Sequence, residues 1–228
     1  VSLLDEAETL VRTVAPEIEN VYMVDAMDYR VPDVGLDVGA YTSYLLDLQL
    51  ASQLSDRGLW RGEGFAAVFF LDRLTHLQRF VSGAAIHEAA HYLCFPARPE
   101  IAGDDLEESS ATAAQIFALA SEADVTAADS HPPWHRHGAD FVRASVHLWH
   151  RAQRVQPDLQ PWHVDFSTRY YGLDEFAWVR VLDDELAVMD RVPIREILTT
   201  PPPRDFLDLH RLLVGWWKPD QVIRFPPR

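Results

Sequence analysis

Prolines set the grain of this chain. Pro16, Pro96, Pro99, Pro132, Pro133, Pro157, Pro161, Pro193 and Pro201 to Pro203 fall between the stretches of apolar periodicity rather than inside them. A proline has no N–H to give and its ring clashes with the preceding turn, so each stretch must form a separate short element. Residues 3 to 14 place Leu3, Leu4, Ala7, Leu10, Val11 and Val14 at helical spacing and predict an amphipathic helix. VYMVDAM at 21 to 27 reads as a strand, and the Asp, Pro and Gly content of 28 to 39 reads as loop. Residues 41 to 57 favour a helix ending at Gly58, although YTSYLLDLQL also suits a strand. FAAVFFL at 65 to 71, preceded by Gly62 and Gly64, predicts a buried strand. The remainder is helical in pattern: 73 to 94 with Gly83 as a candidate break, about 106 to 123, about 139 to 155, about 174 to 190, and 205 to 215. Without a repeat or a Gly/Ser-rich linker, the expectation is one α+β domain over 1 to 228, mostly helical, with a small sheet from the first third.

Charge narrows the function. Twenty basic against thirty-five acidic residues give a formal charge of −15, which opposes the phosphate neutralisation on which nucleic-acid binding rests. The longest apolar run, Phe65 to Leu71, is far below the roughly 18 residues of a membrane-crossing helix, so no membrane association is expected. The opening VSLLDEAETL carries acids where a secretory signal carries bases, and the single cysteine, Cys94, can form no internal disulfide. Both features point to the cytoplasm.

One segment carries recognisable chemistry. SGAAIHEAAHYLCF, residues 82 to 95, contains H-E-x-x-H as His87, Glu88 and His91. On a helix, positions i and i+4 project from one face a turn apart, so two imidazoles can hold one zinc ion. Glu88 lies on a neighbouring face, from which a carboxylate can accept a proton from an activated water. A catalytic zinc usually takes three protein ligands and keeps one position open, so a third must come from elsewhere. The segment HPPWHRHGADFVRASVHLWHRAQ, 131 to 153, offers His135 and His137 ahead of a periodic helix whose buried face is built from Phe141, Ser145, Leu148, Ala152 and Val155.

HEAAH followed by Trp134, His137, Gly138 and Phe141 in WHRHGADF resembles the SprT-like branch of zinc metallopeptidases. That resemblance implies a zincin-like fold with the sheet packed on the HEAAH helix, Zn²⁺ as cofactor, His87, His91 and His137 as its ligands, and Glu88 as catalytic base. The substrate it implies is a peptide or protein. A looser resemblance of DDLEESSATAAQIFALASEAD to the E-x-x-A helix of gluzincins supplies Glu108 as a rival third ligand. Glu108 also completes a capping box with Asp105 as N-cap, a purely structural use. Another class of function stays open beside the peptidase: a zincin-like regulatory or protein-binding module whose metal site is structural or vestigial.

The other candidates read as packing. His147 and His150 flank Trp149 on the late helix and suit hydrogen bonding in the core, and Cys94 suits an apolar thiol. His76, His131, His163 and His210 have no partner visible from spacing. Arg136, His135 and Tyr92 lie near the ligands in sequence, but none is assigned to oxyanion stabilisation.

Overall fold

The computed structural model describes residues 2–30, 40–43, 48–73, 78–94, 137–166 and 175–214. The chain is a mostly helical α+β protein. Its elements run α1 (Leu3–Val14), β1 (Val21–Asp25), β2 (Ala40–Ser43), α2 (Leu48–Asp56), β3 (Phe65–Phe69), α3 (Gln78–Cys94), α4 (Ala139–Ala152), α5 (Pro161–Val164), α6 (Phe176–Val188), α7 (Ile194–Thr199) and α8 (Arg204–Val214). The strands form a sheet of order β1-β3-β2, with β1 parallel and β2 antiparallel to β3.

Every residue of β3 is buried, as an inner strand covered on both faces requires. The strand period of two splits those residues between two cores. Val21, Met23, Phe65, Ala67 and Phe69 face the main core, which holds α1, α3, α4 and the later helices. Tyr22, Val24, Ala66 and Val68 face the other way and meet Leu50 and Leu54 of α2. Among the described residues, the sheet is thus a partition with one helix, α2, on one face and the main core on the other.

Helix α1 starts on a reciprocal cap, in which Ser2 Oγ accepts from the Asp5 N–H at 3.1 Å and Asp5 Oδ2 accepts from the Ser2 N–H at 2.9 Å. It lays Ala7, Leu10, Val11 and Val14 against the sheet and α3. Helices α3 and α4 pack on each other at the centre, and Ala85, Ala89 and Ala90, all fully buried, let neighbouring elements come close to α3.

Several sequence expectations need correction. The stretch 41 to 57 is not one helix: β2 occupies its start and α2 its end, because the apolar run was short enough to serve either state. Gly83 does not break α3, which continues unbroken through it. Helix α4 stops at Ala152 and leaves Val155 52% exposed, so Val155 is no part of its buried face. The short helices α5 and α7 were not foreseen, being too brief to show a period. The expected helix over 106 to 123 lies outside the described residues. Among the described residues, no helix is long and apolar enough to cross a membrane.

Candidate metal centre

Helix α3 carries His87 and His91 one turn apart, with ring centroids 4.9 Å from each other. The third partner comes from the approach to α4. His137 stands just before the N-cap, Gly138, and takes a left-handed backbone with φ of 42°. That turn sends its ring to the α3 histidines, with centroids 5.0 Å from both His87 and His91. One nitrogen from each ring falls within 4.8 Å of the others, and all three side chains keep partial exposure. Three imidazoles in this arrangement could hold a metal ion.

Phe141, one turn into α4, supplies the floor. Its ring centroid lies 4.8 Å from that of His87, 4.3 Å from that of His91 and 4.6 Å from that of His137, and the residue is 2% exposed. An apolar wall on that side offers no competing ligand and keeps solvent off the rings.

Hydrogen bonding fixes which nitrogens are available. His87 Nδ1 donates to the carbonyl oxygens of Val164, at 3.0 Å, and Asp165, at 2.9 Å. A carbonyl can only accept, so Nδ1 must carry a proton, and in the neutral tautomer this selects, Nε2 is the nitrogen with the lone pair. That Nε2 lies 3.2 Å from Nε2 of His137. Two imidazole nitrogens on one tetrahedral zinc, each at ~2.0 to 2.1 Å, stand about 3.3 Å apart, so this pair of nitrogens has the spacing such an ion needs. Burial, reinforced by the neighbouring His87 and His137, holds His91 well below its usual protonation range. A neutral ring is what a cation needs.

Glu88 follows His87 on α3 and is buried, at 7% exposure. Cys94 is not among the converging ligand atoms; burial, with Asp140 adding to it and Arg195 opposing, pushes its thiol far up. Tyr92 turns instead to Phe65, 5.3 Å between centroids, and lies under the Arg195 guanidinium at 5.4 Å. Glu108, His135 and Arg136 lie outside the described residues, as do His76 and His131.

His147 is buried and hydrogen-bonds Glu185 at 3.2 Å, the packing role expected of it. His163, for which spacing shows no partner, has two in the fold. Its Nδ1 accepts from the Gln160 N–H at 2.9 Å and its ring meets Phe80 edge-on at 4.9 Å. The parts of the centre that sequence reading missed are the Val164 and Asp165 carbonyls and Gly83 beneath them. Backbone acceptors carry no residue signature; only the glycine, on the histidine face of α3, was visible.

No protein-family model, curated protein or solved structure matches the chain.

Proposed function

We propose that the chain is a zinc-dependent metallopeptidase with a zincin-like, SprT-like arrangement, acting on peptides or proteins. The observation that carries this reading is the convergence of His87 and His91 of α3 with His137 from the turn entering α4, with a buried glutamate beside the first of them. Zinc is the favoured ion because three imidazoles plus one open position are its usual catalytic ligand set. When bound, it supplies a water of lowered pKa and polarises the scissile carbonyl.

The chain's own residues do the rest. His87, held by two carbonyls, keeps its Nε2 aimed at the centre, and Phe141 closes the apolar side. Glu88 accepts a proton from the attacking water as the new carbon–oxygen bond forms, then returns it to the amine nitrogen as the carbon–nitrogen bond breaks.

The test is element-resolved zinc stoichiometry combined with hydrolysis of fluorescein-labelled casein and of a quenched-fluorescence peptide library. Wild type should hold about one zinc and cleave at least one probe; Glu88→Gln should keep the zinc and lose at least ~100-fold in rate. His137→Ala should lose both. Wild type without zinc, or a Glu88→Gln protein as active as wild type, would overturn the reading. One zinc with neither probe cleaved would replace it by the binding-module alternative.

A further inference from the structure

The geometry points to a positioning device behind the metal centre: the backbone turn at Val164 and Asp165, seated on α3 through Gly83, sets the tautomer and aim of His87. Gly83, His87 and His91 occupy positions i−4, i and i+4, one line along α3. At Gly83 the backbone of α5 touches that line. A Cβ there would fall 1.9 Å from the His163 carbonyl oxygen and 2.4 Å from its carbon, so any larger residue must push α5 away. Immediately beyond this contact, the carbonyls of Val164 and Asp165 both reach His87 Nδ1.

The second carbonyl gets there through a rare conformation. Asp165 has φ of 55°, and His137, at 42°, is its sole counterpart among the described residues other than glycine. Both residues contact His87. Left-handed backbone is tolerated by aspartate and strongly disfavoured for β-branched residues, and such outliers persist where the surroundings over-determine them. The turn is braced from behind by the bond from the Gln160 N–H to His163 Nδ1 and by the Trp149 indole N–H donating to the Leu159 carbonyl at 2.9 Å. Two acceptors on Nδ1 select the tautomer whose Nε2 is unprotonated, which is the form a metal requires.

The affinity arm of this inference rests on the metal-centre reading; the tautomer arm does not. The experiment records long-range ¹H–¹⁵N spectra of ¹⁵N-histidine-labelled, chelator-treated protein, with His87 assigned by its disappearance in His87→Gln. Zinc affinity is measured in parallel by chelator competition. Wild-type His87 should be the Nδ1–H tautomer. Gly83→Ala and Asp165→Val should shift it to a mixture and weaken zinc ~10- to 100-fold, whereas Asp165→Gly, which adopts the same φ freely, should keep both properties. Should Gly83→Ala not fold, the pair at 165 decides. An Nε2–H tautomer in wild type would overturn the inference, as would an unchanged tautomer and zinc affinity within twofold in the variants that fold. If no form binds zinc yet the tautomer shifts as stated, the peptidase proposal fails and the positioning device stands.

Discussion

Helix α4 brings histidine into two settings that are chemically opposite. At its N-terminal end His137 faces two other imidazoles, a backbone shelf behind one of them, and the Phe141 ring. Three turns along, His147, 1% exposed, meets a carboxylate: Glu185 of α6 accepts from His147 and pairs with Arg143, which also donates to the Thr200 carbonyl at 2.8 Å and the Thr200 hydroxyl at 3.2 Å. The second cluster is complete. Its charges cancel within the protein, and it ties α4 to α6 and to the end of α7. The first brings one nitrogen from each of three rings within 4.8 Å of the others. A buried histidine beside a carboxylate and an arginine therefore reads as architecture, and histidines facing one another read as a place for a cation.

The largest effect that could break this contrast lies in the complete cluster. Arg143→Met leaves Glu185 buried without its cation and should cost about 3 to 5 kcal/mol in urea unfolding. The loss should be the same with zinc or with chelator. A loss confined to zinc-loaded protein would show that the two clusters are one.

Acid should separate them next. Burial alone would raise the Glu185 carboxyl, but the hydrogen bonds from His147 and Arg143 outweigh it and hold the group below its usual 4.5. A depressed carboxylate gives stability that is present above 4.5 and lost as pH falls through the lower folded value. His91 is depressed from 6.5, so the unfolded chain takes up its proton first and stability starts to fall below 6.5. In chelator-treated protein, unfolding free energy should therefore decline by at most ~1.4 kcal/mol per pH unit for this one group as pH drops from 6.5. His91→Gln should make that limb shallower, leaving the shares of His150, His163 and His210, which burial also lowers from 6.5, and the limb below 4.5. If the slope under 6.5 is unchanged by the substitution, His91 contributes nothing to it.

The smallest effect sharpens the assignment. Thr200→Val deletes the hydroxyl that accepts from Arg143 and donates to the Ile197 carbonyl and leaves the Thr200 carbonyl in place, so about 1 kcal/mol should be lost in thermal or urea unfolding. Zinc affinity should not move. A measurable change there would mean that α4 transmits its anchoring to His137.

What could be read from sequence followed from whether the signal was local. The i, i+4 spacing of His87 and His91 is a property of one helix, and α3 carries it as expected. His137 was one of two histidines ahead of the later helix, singled out over His135 and Glu108 by a resemblance to a family, and the structure brings it to the other two. The strand β2 was hidden because YTSY and the following apolar residues fit either period. Arg143 and Glu185 lie 42 positions apart, and nothing local to either announces the pair. The shelf over His87 was illegible for a different reason: Val164 and Asp165 act through backbone oxygens, and Asp165 through a φ value that its side chain merely tolerates. Gly83 gave the one outward sign of it, and was read as a weakness in the helix when it is the point of closest approach.

The contact between α3 and His137 also has a meaning in polymer terms. It joins positions 87 and 91 to position 137, so any strong link made there turns the chain between them into a closed ring. Closing a ring removes freedom mainly from the unfolded chain, by an amount that grows with the logarithm of ring size. For a ring of this span the restriction is worth on the order of 4 kcal/mol. An ion shared by the three imidazoles would thus act as a reversible crosslink, and the mechanical integrity of the folded chain would rise and fall with the supply of metal around it.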